Sequence, residues 1–178
     1  EYMIKRRSLA GLLALVFVLS AFAMPVQAAE EAAFAERVFG QNRYETAVQA
    51  SLELADKEIV ILATGEDYAD ALSAGVLANA MDAQLLLTPK NALRDAVKER
   101  IDALAPKTVY LVGGPEALDP AIETALKDYT VERIEGLNRY ETAQKLAAKN
   151  PNKGELFIAT GEDYPDALVA SSLTEQPL

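Results

Sequence analysis

Asn42-Arg43-Tyr44-Glu45-Thr46-Ala47 returns as Asn138-Arg139-Tyr140-Glu141-Thr142-Ala143, shifted by 96 positions. A second block obeys the same shift. Ala63-Thr64-Gly65-Glu66-Asp67-Tyr68-Ala69-Asp70-Ala71-Leu72 reappears as Ala159-Thr160-Gly161-Glu162-Asp163-Tyr164-Pro165-Asp166-Ala167-Leu168. Two motifs in one order with one offset mark a duplication. The interval exceeds the ~20–50 residues of solenoid repeats, so each copy is closer to a small domain than to a solenoid turn. Nothing in the second copy corresponds to Gln84–Asp128. The expected organisation is a first repeat over residues 37–132 and a truncated second repeat over 133–178.

Outward from the motifs, strands and helices alternate. Asn42 with Glu45 three residues on has the form of an N-cap and capping box. Tyr44, Ala47, Val48, Ser51, Leu52 and Ala55 then follow a helical face. Ile59–Ala63 is almost wholly apolar, as in a strand covered on both faces, and it ends at the Thr64-Gly65 turn. Asp67 with Asp70 repeats the capping pattern before a helix with small residues at Ala71, Ala74, Gly75 and Ala78. Gln84–Leu87 reads as a strand, and Leu93, Val97, Ile101 and Leu104 as a helix ended by Pro106. Val109–Val112 is the next strand, closed by Gly113-Gly114-Pro115. Asp119-Pro120 opens a helix to about Lys127. Val131–Ile134 leads into the second Asn-Arg-Tyr motif, and Leu156–Ala159 reads as the strand of the second copy. The alternation predicts an α/β fold, Rossmann-like, with a mainly parallel sheet.

Upstream lies a segment with the character of an address. Met3 is followed by Lys5, Arg6 and Arg7, then by an apolar run from Leu9 to Ala23, and then by Val26-Gln27-Ala28. Basic, apolar and small-residue regions in that order predict a secretory signal peptide over 3–28. The run is shorter than the ~20 residues a spanning helix needs, so no membrane anchor is expected after cleavage. Residues 29–36 read as a linker.

The net charge is −10, and the expected leader holds bases without acids, so the remainder is more acidic still. That sign argues against nucleic acid as a partner. There are no cysteines, hence no disulfides, and no histidines. The absence of histidine removes the commonest general base, the Ser-His-Asp arrangement and the commonest zinc ligand. No cofactor or metal is called for.

Arg43 and Arg139 each stand at a predicted helix start, where free backbone N–H groups favour anions. A guanidinium there suits a carboxylate or phosphate; it equally suits an ion pair with Glu45 or Glu141, or a contact between repeats. The Thr-Gly-Glu-Asp-Tyr turn has the geometry of a dinucleotide site but carries Glu66 and Asp67 where a pyrophosphate would lie, and there is no G-x-G-x-x-G. Asp67 and Asp70 are candidates for helix capping, for a hard cation, or for a glycosidase carboxylate pair. Gly113-Gly114 is a tight turn or an anion nest.

The string Arg37-x-x-Gly40-x-Asn42-Arg43-Tyr44-x-Thr46-Ala47, then Ala63-Thr64-Gly65-x-x-Tyr68-x-Asp70-Ala71-Leu72, then Val112-Gly113-Gly114, resembles the cell wall binding repeat type 2 family of Gram-positive bacteria, which includes clostridial cell wall and S-layer proteins. The resemblance runs from about Arg37 to about Leu173. Ala69 stands where the family usually has the proline seen at Pro165. The resemblance implies a Rossmann-like repeat that usually occurs in threes, and noncovalent attachment of an exported protein to an anionic wall polymer such as secondary polysaccharide or teichoic acid. It implies ligand contacts at Arg43 and Arg139, with Tyr44, Thr46, Tyr140 and Thr142 as neighbours. Asn42, Gly65, Asp67, Asp70, Gly113, Gly114, Gly161, Asp163 and Asp166 would serve the motif's structure. The expected location is the cell wall or surface, with further copies of the repeat in trans as possible partners. Two other functions are carried beside this one: an exported carboxylate hydrolase of wall polysaccharide, and a structural repeat that only joins chains. An acidic chain repels an anionic polymer within a Debye length of ~8 Å, so attachment requires local basic spots, cation bridging or sugar hydroxyl contacts.

Overall fold

The layers are built on β1, Ile59–Thr64. The computed structural model describes residues 37–152, 154 and 156–172. The expected signal peptide, the linker and residues 173–178 lie outside the described residues. Val60, Ile61, Leu62 and Ala63 are completely buried. β1 is paired on both edges as well as covered on both faces. On one side it runs parallel to β2, Gln84–Thr88, with Val60 opposite Gln84. On the other it runs parallel to β3, Thr108–Val112, with Ile59 opposite Thr108. β4, Thr130–Ile134, extends the sheet from β3, again parallel. The order β2-β1-β3-β4 is the α/β parallel architecture that the alternation predicted. The helices are α1 (Arg43–Leu52), α2 (Ala69–Ala80), α3 (Asp95–Leu104), α4 (Pro120–Ala125), α5 (Arg139–Lys149) and α6 (Pro165–Ser172).

Alternate residues of a strand point to opposite faces, so β1 feeds two cores. Val60 and Leu62 join Tyr44, Val48, Leu86, Val97, Ile101, Leu111, Leu118 and Ile122 on the face of α1, α3 and α4. Ile61 and Ala63 join Ala74, Leu77, Ala78, Tyr110, Val112, Ile134 and Leu146 on the other. The last of these residues belongs to α5, so the first helix of the second copy closes the core of the first. α1 and α5 share a motif but bury different sides. α1 buries Tyr44, Val48 and Ser51 in its own copy. α5 buries Thr142 and Leu146, followed by Asn150, against the copy before it. The equivalents in α1 are Thr46, Ala50 and Leu54; Ala50 is exposed and Leu54 shows 53% of its surface.

Several sequence expectations are corrected. Leu156–Ala159 forms no strand: the backbone is irregular and Ile158 is 89% exposed. Its counterpart β1 is held by β2 and β3, and no such neighbours flank it among the described residues; an unpaired strand leaves its amides unsatisfied. Leu52 and Ala55 lie outside the buried arc of α1, because the helix stops at Leu52 and Tyr44, Val48 and Ser51 already fill the contact with the sheet. Asp67 and Asp70 form no capping box. α2 begins only at Ala69, so Asp67 sits too early and its Oδ1 accepts from the Ala69 amide at 3.2 Å, while Asp70 makes no reciprocal bond among the described residues.

Candidate functional site

The duplicated motifs occur together because each pair is one packed unit. Asn42 Oδ1 accepts from the amides of Tyr44 and Glu45, both at 3.0 Å, and so caps α1. Glu45 returns the bond one residue earlier than a standard box, accepting from the Gln41 amide at 3.0 Å. The Arg43 guanidinium, thus aimed, donates through Nη1 to the Gly65 carbonyl. The Tyr44 ring lies against the same glycine: a Cβ on Gly65 would fall 2.5 Å from Tyr44 Cε1. In the second copy Asn138 caps α5, Arg139 Nη1 donates to the Gly161 carbonyl at 2.7 Å, and a Cβ on Gly161 would fall 2.4 Å from Tyr140 Cε1. The hydroxyls of Thr46 and Thr142 accept from the Gly40 and Gly136 amides, each at 3.0 Å, and donate to the Asn42 and Asn138 carbonyls.

Tyr44 and Thr142 are therefore buried, and the Thr46 hydroxyl is engaged within its own turn. Tyr140 remains exposed. Arg43 is exposed with one donor committed, whereas Arg139 is more fully engaged. Arg139 Nη1 also reaches the Tyr68 hydroxyl at 3.3 Å, and Nη2 reaches Asp67 Oδ2 at 3.2 Å. Its guanidinium lies 5.5 Å from the Tyr68 ring centre. The bond it donates to Tyr68, supported by the Asp67 charge, strengthens its hold on the proton. Tyr68 in turn donates to the Glu162 carbonyl at 2.9 Å and meets the Tyr164 ring at 5.7 Å. This cluster joins the two copies.

Beside it lies a crevice of about 520 Å³ at the carboxyl ends of β1 and β3. The chain leaves β1 for β2 on one side and β3 for β4 on the other, so this is the switch point where parallel α/β sheets take ligands. Thr64, Asp70, Lys90, Asn138 and Arg139 are among its walls. Burial, and then the charge of Asp67, push the Asp70 carboxyl up, while Arg139 opposes the shift. Gly113 has φ +105°, and a Cβ there would fall 2.5 Å from Asp70 Oδ2. Glu135 Oε2 is enclosed without a hydrogen-bond partner among the described residues, and a Cβ on Gly114 would meet it at 3.3 Å. Lys90 is paired with Glu116 at 2.8 Å, and its amide with Glu66 at 3.1 Å. The crevice therefore has two paired cations and a surplus of acid. Among the described residues no three acidic side chains gather in a way that could hold a metal ion.

A separate apolar hollow of about 280 Å³ lies between Leu72, Tyr140, Ala147, Leu156 and Ile158. In the first copy the counterparts of Leu156 and Ile158 are Val60 and Leu62, which Leu86, Val97 and Ile101 help to cover.

Asp163 turns its carboxylate to the Tyr164 amide at 2.8 Å, and Asp166 lies exposed in the first turn of α6. Sequence reasoning missed two residues. Tyr68 was legible as a repeated position, with Tyr164, inside the second block. Arg100 is buried and donates to Ser51 Oγ and the Ser51 carbonyl, both at 2.9 Å, and to Gln84 Oε1 at 3.2 Å. Its signal is its place between Val97, Ile101 and Leu104, an arginine on an apolar helix face.

The family model for cell wall binding domain 2 matches residues 37–123 and 133–178. The N-acetylmuramoyl-L-alanine amidase LytC of Bacillus subtilis is 36% identical over 135 residues, covering 74% of this chain and 27% of its own. The amidase enhancer of the same organism is 30% identical over 141 residues, covering 78% and 20%. Cwp6 from Clostridium difficile superposes with a TM-score of 0.70 at 28% identity, covering 79% of this chain and 24% of its own. The chain thus spans about a quarter of the length of these relatives.

Proposed function

This chain belongs to the cell wall binding domain 2 family, and we propose that the ligand of its cell-wall-binding role is an anionic wall polymer, held at the surface of a Gram-positive cell from which the protein is exported. One observation carries this reading: the crevice at the switch point opens beside the helix start that bears Asn138 and Arg139. Arg139 and Arg43 are the anion contacts. Each guanidinium is fixed by its own glycine carbonyl and keeps further N–H groups for a phosphate or carboxylate. Tyr140 offers an exposed ring beside Arg139. Tyr44, Thr46 and Thr142 act by fixing the helix starts, not by touching the polymer. The acids around the crevice repel bare anionic charge, so they serve as acceptors for sugar hydroxyls.

Sedimentation with purified Gram-positive walls, before and after their anionic polymers are stripped, tests the reading. Retention that depends on the polymers and falls at least tenfold in the Arg43→Ala, Arg139→Ala double variant is expected. Equal retention on stripped walls would overturn it.

A further inference from the structure

Asp70 stands apart from the other acids of the switch-point crevice. It lies in the first turn of α2, half-buried in the crevice wall. Neither of its oxygens makes a hydrogen bond or ion pair among the described residues, and neither is sealed from water. Oδ2 rests against Gly113, whose missing side chain leaves it room: a Cβ there would fall 2.5 Å away. The other charged groups of the crevice are committed. Glu66 accepts from the Lys90 amide at 3.1 Å, and Asp67 pairs with Arg139 at 3.2 Å. Glu116 pairs with Lys90 at 2.8 Å, which holds it charged. Glu135 keeps Oε2 enclosed beside Gly114. Arg139, from α5, attracts the Asp70 carboxylate, and Asp67 repels it.

A half-buried carboxylate without a donor favours its neutral form. Burial, then the charge of Asp67, push this carboxyl up from its ordinary value of 3.8, and Arg139 only partly opposes them. The neutral carboxyl carries an O–H that no acceptor takes among the described residues. We propose that Asp70 binds the wall polymer in its neutral form, donating this O–H to an oxygen of the phosphate that Arg139 attracts, and that as a carboxylate it repels the same phosphate. This role rests on the reading of Arg139 as an anion contact for a wall polymer. It adds Asp70 as the residue that sets how tightly the crevice holds a phosphodiester at a given pH. As pH rises through the raised value of Asp70, a donor becomes a negative charge and affinity falls. By linkage, binding draws a proton onto Asp70. A phosphodiester stays ionised throughout, so the proton taken up belongs to the protein.

Calorimetric titration of the full chain with poly(glycerol phosphate) tests this. Wild-type affinity is expected to rise as pH falls from neutral toward the ordinary value of 3.8. Asp70→Asn keeps a donor and carries no charge. At neutral pH it is expected to bind about tenfold more tightly than the wild type, the order of effect of one charge beside a phosphate at a protein surface. It is also expected to lose part of the rise in acid. Asp70→Ala removes the charge without supplying a donor, and its affinity is expected to fall between the two. Titration at mildly acidic pH in buffers of different ionisation enthalpy is expected to show proton uptake by the wild type beyond that of Asp70→Asn. An Asn variant that binds no more tightly than the wild type, or equal uptake in both, would overturn the proposal. An Ala variant as tight as Asn would overturn the donated bond. A wild type that ignores this polymer while walls still retain it through their anionic polymers would overturn the role of Asp70 and leave the wall-binding reading standing. Loss of polymer-dependent wall retention would overturn both.

Discussion

Arg139 reaches back 72 residues to place its guanidinium 3.2 Å from the carboxylate of Asp67, tying the second copy of the motif to the first. Both partners are partly exposed, so the ion pair contributes only about 0.2–1 kcal/mol. The Tyr68 face adds about 0.5–1 kcal/mol, and the Gly161 carbonyl bond a similar amount. Arg139→Ala should therefore lower unfolding stability by about 1–3 kcal/mol in urea titration. A double-mutant cycle with Asp67→Ala should return a coupling of about 0.2–1 kcal/mol. Zero coupling would show that the pair does not hold the copies together.

Gly113 and Gly75 should respond in opposite directions to the same substitution. Gly113 has a positive φ, and an added methyl would overlap Asp70 Oδ2 at 2.5 Å and Ala117 Cβ at 2.7 Å. Gly113→Ala should cost about 3 kcal/mol or more. Gly75 lies in the middle of α2, where a methyl would meet Leu85 Cδ2 at an ordinary 3.8 Å. Gly75→Ala should stabilise by about 0.5–1 kcal/mol. Thermal melts of the two variants decide this.

Arg100 is the buried cation of the α3 face. Truncating it strands Ser51 and Gln84, whose acceptors point at a space closed to solvent. Arg100→Ala should destabilise by about 2–4 kcal/mol. Arg100→Lys should recover only part of this loss, since an ammonium cannot reproduce the planar fork that spans Ser51 and Gln84. Equilibrium unfolding of both variants gives the comparison.

The raised pKa of Asp70 gives stability a definite pH dependence. The folded state keeps this proton at pH values where the unfolded chain, at the ordinary value of 3.8, has released it. Stability contributed by this group therefore falls as pH rises from about that ordinary value through the higher folded one, and the penalty persists above it. Asp70→Asn should flatten that part of the curve and be at least as stable as the wild type at neutral pH. A difference curve between the two proteins that is flat across this window would show that Asp70 is not strained by its burial.

Much of this protein was determined by its sequence alone. The almost wholly apolar Ile59–Ala63 run reads as a strand covered on both faces, because its side chains on either side leave water, and β1 is that strand. The alternation of elements then implied parallel pairing, and the fixed offset of two motifs implied duplication. Asn42 and Asn138 cap their helices as read, since an N-cap is a contact between residues two and three apart. Tertiary structure decided what no local pattern carries. It showed that Arg43 and Tyr44 dock on Gly65, that Arg139 crosses to Asp67 and Tyr68, and that α5 completes the core of the preceding copy with Leu146. It also left Leu156–Ala159 outside the sheet, despite strand-like residues, for want of flanking strands. The physical reason is range: periodicity and capping report on atoms a few residues apart, whereas the partners of a guanidinium or a strand edge are settled only when distant segments compete for the same space.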